Sequence, residues 1–127
     1  MPTKHNEHGF TLTELLIATV IIAVAILGWA KTQQGATKNR AISNGITTAS
    51  ELGMAKLEEL ALQCQSNATD FSDGDNVVTQ GVQYSRAWAV NQGEILDGLD
   101  LWEIEVEVTW NHYGPKSVQY QRIVVGN

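Results

Sequence analysis

Hydrophobic and polar positions change character along this chain. From Phe10 to Ala30 the residues are apolar or small, interrupted by threonines, and the single charge is Glu14. A helix rises about 1.5 Å per residue, so this stretch reaches roughly 30 Å, the thickness of a bilayer's hydrocarbon core. From Lys31 to Gln63 polar residues enter but proline does not. Apolar or small side chains recur there at Ile42, Ile46, Ala49, Gly53, Leu57 and Leu60. Steps of three and four mark one stripe of a helix. The pattern therefore predicts one long helix continuing to about Gln63, with Lys38, Asn39, Lys56, Glu58 and Glu59 on the opposite face. Gly35, Gly45 and Gly53 each weaken an isolated helix by about 1 kcal/mol relative to alanine, which points to bending or close packing.

Beyond Gln63 the period shortens to two. Leu101 to Trp110 sets Trp102, Ile104, Val106, Val108 and Trp110 against Glu103, Glu105, Glu107 and Thr109, the signature of a half-buried strand. Val82 to Val90 alternates similarly, with Tyr84, Arg86 and Trp88 on the side of Val82, and Val118 to Val125 alternates less cleanly. Asn91-Gln92-Gly93 with Asp97-Gly98, and then Asn111 to Lys116, supply the turns. A three-stranded antiparallel meander is the simplest topology, because short connections favour neighbours pairing. Val77 to Gln80 is a candidate short edge strand. Ser66 to Asn76 reads as a solvated loop, crowded with Asn, Asp, Ser and Gly.

Composition narrows the function. The chain has 127 residues and a net charge of −6, enough for one small domain after the apolar stretch. Its eight basic residues are scattered, which argues against binding a nucleic-acid backbone. Cys64 is the one cysteine, so no intramolecular disulfide can form, and a buried, inert thiol is expected. Asp70, Asp73 and Asp75 are weak candidates for calcium, but their spacing does not match an EF-hand loop and no Glu closes the site. His5 and His8 are too few and too close to the terminus to make a metal site. Trp88, Trp102 and Trp110 fit core packing better than a platform for sugars or peptides. No nucleophile, acid–base pair or metal cluster has supporting spacing, so neither catalysis, a cofactor nor a small-molecule substrate is expected. The polar-face row Glu103, Glu105 and Glu107 is expected to be solvated or to face cations.

Glu14 needs explaining, since a carboxylate in lipid costs about 2–3 kcal/mol or more and rarely stands without a partner. A chain cut between Gly9 and Phe10 would present a new amino group about one helical turn away, and on a neighbouring subunit that cation could neutralise Glu14.

Gly9-Phe10-Thr11-Leu12-Thr13-Glu14-Leu15-Leu16-Ile17-Ala18, after a short polar leader, resembles the class III signal of type IV pilins and type II secretion pseudopilins. The resemblance implies cleavage after Gly9 by prepilin peptidase, N-methylation of Phe10, and a docking and register role for Glu14 in the filament. It also implies an α+β fold on the pilin lollipop plan, a long N-terminal helix packed against a small C-terminal antiparallel sheet. The expected divisions are a cleaved leader at 1–9, a membrane or filament-core helix at 10–30, an amphipathic continuation at 31–63 and a periplasmic sheet domain at 64–127. The disulfide loop and kinking proline of many major pilins are missing here. Ile26-Leu27-Gly28 followed by a polar, glutamine-containing helix is similar to the PilV-like minor pilins, and the Trp-rich strands to minor pseudopilin I.

The expected role is therefore a non-catalytic minor pilin that primes or caps a pilus. The alternatives are a minor pseudopilin of a type II secretion system and a membrane-anchored periplasmic binding module. Expected partners are prepilin peptidase, other pilin or pseudopilin subunits and inner-membrane lipid. Lys31, Lys38 and Arg40 follow the span while Lys4 precedes it, so the basic count alone would put the C-terminal side in the cytoplasm. The resemblance implies the reverse, a single inner-membrane pass with the C-terminal domain in the periplasm.

Overall fold

The computed structural model describes residues 9–126, so the leader residues Lys4, His5, Glu7 and His8 lie outside the described part. The elements are α1 Leu12–Ser66, β1 Phe71–Thr79, β2 Val82–Leu96, β3 Leu99–Asn111 and β4 Pro115–Val125. The class is α+β, as expected. The helix runs three residues past the expected Gln63.

The chain divides into two compact units after Arg40. In the first, every described residue is exposed. Thr19, Thr32 and Thr37 return their hydroxyls to the carbonyls of Leu16, Gly28 and Gln33 at 2.8, 3.1 and 2.9 Å. This is how a helical threonine satisfies itself locally.

The second unit is a meander covered by the later turns of α1. The sheet order is β1-β2-β3-β4, all antiparallel. Four strands therefore replace the expected three, and the short edge strand expected at Val77 to Gln80 is nine residues long. The loop expected at Ser66 to Asn76 is mostly this strand. Its acidic residues do not exclude pairing, because Phe71 to Thr79 zips without interruption onto Val90 to Val82. The Asp75 carboxylate accepts from both the Arg86 Nε, at 2.7 Å, and its Nη2 across that pair.

The turns also shift. Asn91, Gln92 and Gly93 belong to β2, which passes through a register shift between Gln92 and Ile95. The reversal is Asp97-Gly98 alone, with φ of 51° and 81°, and Gln80-Gly81 reverses β1 into β2 with 53° and 76°. Two positive φ values make the turn whose twist matches a hairpin's strands.

One face of the sheet is the core. Trp102, Ile104, Val106, Val108 and Trp110 are all buried, as their alternation predicts, together with Tyr84, Trp88, Val90 and Val124. Ala49, Leu60, Ala61 and Cys64 meet them from α1. The helix stripe is turned slightly from its expected course, since Ile46 is exposed and Gly45 is buried instead. Small residues let the sheet approach: a Cβ at Gly45 would stand 3.0 Å from the Trp110 Nε1, and one at Gly53 2.9 Å from the Tyr120 ring. Lys56 also leaves the polar face expected for it. Its ammonium lies 4.1 Å from the Trp88 ring centroid and 2.9 Å from Glu59 Oε1, so its stem packs while its charge stays partnered.

Candidate functional site

The residues expected to carry function at the start of the chain sit at the beginning of α1. Gly9 and Phe10 precede the helix and are exposed. Thr11 is its N-cap. The Glu14 backbone N–H donates to Thr11 Oγ1 at 3.3 Å, and the Thr11 N–H donates back to Glu14 Oε2 at 3.2 Å. The Thr11 hydroxyl donates to the same Oε2 at 3.3 Å, and the Leu15 N–H donates to the Thr11 carbonyl at 3.2 Å. This is a capping box, in which two otherwise orphaned backbone donors are satisfied reciprocally. The carboxylate also lies at the positive end of the helix dipole. The spacing Thr11-x-x-Glu14 is the sequence signal for it, and it gives Glu14 a local partner within its own chain. Both bonds use Oε2. The peptide N–H of Thr11 would survive a cut before Phe10, so the box is compatible with a matured chain.

The other candidates separate. Asp70 Oδ1 accepts from the Gln92 N–H at 2.7 Å, pinning β2 where β1 begins. Asp73 Oδ1 accepts from the adjacent Gly74 N–H at 2.8 Å, and Asp75 is held by Arg86, which keeps its carboxyl below the usual range. Their oxygens thus serve three different backbone or side-chain partners. Among the described residues, no three His, Cys, Asp or Glu side chains gather as a metal set would need.

Cys64 is a free thiol buried against the sheet, and burial pushes its pKa up. That disfavours the thiolate form needed for nucleophilic chemistry. Trp88, Trp102 and Trp110 lie in the core, so they present no aromatic platform. Of the glutamate row, Glu105 accepts from Gln119 and Glu103 from Gln121 on β4; neutral amides face these two, in place of the expected solvent or cations. Glu107 is exposed.

Among the described residues there is one helix long and apolar enough to cross a membrane, and its most apolar window buries nothing within the subunit. Residues 4–30 match the family model described as the prokaryotic N-terminal methylation motif. The chain carries that motif. It supports the type IV pilin and pseudopilin family, and implies processing by prepilin peptidase and assembly with other pilins. The methylation motif ends at the last residue of the apolar run and takes in Gly9, Phe10, Thr11 and Glu14, so motif and capping box occupy the same few residues. Comparison with curated proteins and with solved structures gives no match.

Proposed function

We propose that this chain is a non-catalytic minor pilin that helps to prime or cap a type IV pilus. Prepilin peptidase cuts between Gly9 and Phe10 and methylates the new amino group of Phe10. The subunit waits in the inner membrane with its C-terminal domain in the periplasm, and then enters a bundle of apolar helices. There Glu14 pairs with the amino terminus of a neighbouring subunit and sets axial register, because a carboxylate left unpaired in such a bundle is costly. The observation that carries this reading is the methylation motif at the head of a helix whose first stretch, residues 12–40, is apolar at its start and buries nothing within the subunit. An unpaired apolar helix of that length needs lipid or other helices around it.

Intact mass of the protein purified from its native membrane tests the reading, beside a strain lacking prepilin peptidase. A chain starting at Phe10 with one added methyl, uncut in the mutant strain, supports it. An uncut chain in both strains, or a cut anywhere other than before Phe10, overturns it. The minor pseudopilin of a secretion system shares every one of these steps, and the identity of co-purifying subunits separates the two.

A further inference from the structure

The β2–β3 hairpin outruns the sheet. Pairing with β1 ends at Val90 and pairing with β4 ends at Leu101, whereas β2 and β3 continue to pair as far as Leu96 with Leu99. Residues 91–100 are therefore a two-stranded arm, exposed throughout. A lone hairpin is marginal in water, yet this one carries Ile95, Leu96 and Leu99, each more than half exposed. Leu99 and Leu101 lie on the side of β3 away from the buried Trp102 and Ile104, Leu96 pairs with Leu99, Val125 with Leu101, and Ile123 with Glu103. Alternation puts Leu96, Leu99, Leu101, Val125 and Ile123 on one face as a continuous aliphatic strip across three strands. Val125 and Ile123 are 49% and 65% exposed. Apolar patches of this kind, rimmed by polar residues, mark interaction surfaces.

The rim names the partner's chemistry. From Ala87 to Pro115 there is no Lys or Arg, and Arg122, next to Ile123, pairs with Ile104 on the opposite face. Glu94, Asp97 and Glu103 border the strip, while Asp100, paired with Ile95, lies on the opposite face. Two copies meeting strip to strip would press like charges together. The chain's own basic stretch, Lys31 to Arg40, has no aliphatic residue larger than Ala36 with which to fill the strip. Anionic lipid headgroups would be repelled. We infer that the Leu96–Leu99–Leu101–Val125–Ile123 strip docks a different protein subunit, one that presents an apolar surface bordered by Lys or Arg. This rests on the assembly reading and deepens it by giving the sheet domain its own site for an unlike subunit.

The test places a photo-crosslinking amino acid at Leu99 and, separately, at Ile123 in the full chain in its native membrane. Val78, 70% exposed on β1, is the control position. The expected result is one heterologous adduct from both strip positions, at least tenfold above the control. Peptide mapping should place the linkage beside Lys or Arg in the other protein, and the adduct should fall severalfold in high salt. Leu96→Asn with Leu99→Asn should abolish it; these side chains are exposed, so the fold is retained. An adduct of two copies, a lipid adduct, a linkage to an acidic or neutral surface, or no adduct above the control overturns the inference. The N-terminal mass of the same sample is read in parallel: failure to start at Phe10 counts against the pilin reading, whereas the crosslinking pattern alone decides the docking strip.

Discussion

Two stretches of the same helix meet opposite fates. Residues 12–40 are the more apolar and bury nothing, whereas residues 41–66 are more polar and contribute Gly45, Ala49, Gly53, Leu60, Ala61 and Cys64 to the interior. Burial within the subunit thus follows complementarity to another element rather than apolar content. The later stretch has a sheet face made for it, with small residues where Trp110 and Tyr120 approach. The earlier stretch has none, and its surface is left for lipid or neighbouring helices. Substitutions can therefore be chosen to act on one stretch and spare the other.

The largest effects belong to the first stretch and leave the second untouched. Replacing Gly9 with a bulky residue should abolish maturation, read as an intact mass retaining the leader, while the fold of residues 41–126 is unchanged by circular dichroism. Glu14→Ala should leave the sheet domain intact and reduce incorporation into filaments by an order of magnitude or more, since one unmade buried ion pair is worth several kcal/mol. Normal assembly of Glu14→Ala would break the register proposal and leave the capping box as the carboxylate's whole role.

In the sheet that covers the second stretch the order reverses, with stability affected rather than processing. Ile104 is fully buried at the centre of β3. Ile104→Ala should cost about 2–5 kcal/mol in denaturant unfolding followed by tryptophan fluorescence, from lost transfer energy and the cavity left behind. The mass of the mature N-terminus should not change.

The glycines give a finer comparison. A Cβ at Gly35 meets nothing within 4 Å, whereas at Gly53 it meets the Tyr120 ring at 2.9 Å and the Val108 Cγ2 at 3.2 Å. Alanine in place of glycine favours a helix by about 1 kcal/mol, and overpacking costs about 1–3 kcal/mol. Gly35→Ala should therefore raise helix stability slightly, while Gly53→Ala should lower the unfolding midpoint. Equal behaviour would mean that α1 and the sheet are not packed so closely at Gly53.

The same contrast governs how much of the molecule is legible in its sequence. The face of β3 is legible because five large residues alternate with charged ones and nothing competes with that period. The unburied helix is legible from its length and its lone Glu14. Strand β1 is not, because Asp73, Gly74, Asp75 and Asn76 are turn formers by local preference, and what makes them a strand is pairing with Trp88 to Ser85 on β2. Gly45 is hidden because the neighbouring Ile46 carries the stronger apolar signal at the same three-to-four-residue spacing. Of the residues proposed to act in processing and assembly, Gly9, Phe10 and Glu14 stand out in the sequence; Thr11 becomes distinct only as the partner of Glu14.

The smallest expected effect tests how β1 is held. Arg86 donates to Asp75 and lowers the pKa of its carboxyl, and the pair in turn raises that of the guanidinium. A carboxyl with a depressed folded pKa contributes stability above its unfolded value, near 4, and loses that contribution as pH falls through the folded value. Asp75 is 42% exposed at its side chain, so solvent screens the pair and its worth is at most about 1 kcal/mol. Asp75→Asn should lower stability modestly at neutral pH, and the difference from the unsubstituted chain should shrink as pH falls below about 4. Amide exchange should quicken in β1 and leave β3 protected, because β1 is an edge strand and β3 lies between two neighbours. If β1 exchanges no faster in Asp75→Asn, backbone pairing and the Asp70 bond to Gln92 hold the edge without the ion pair.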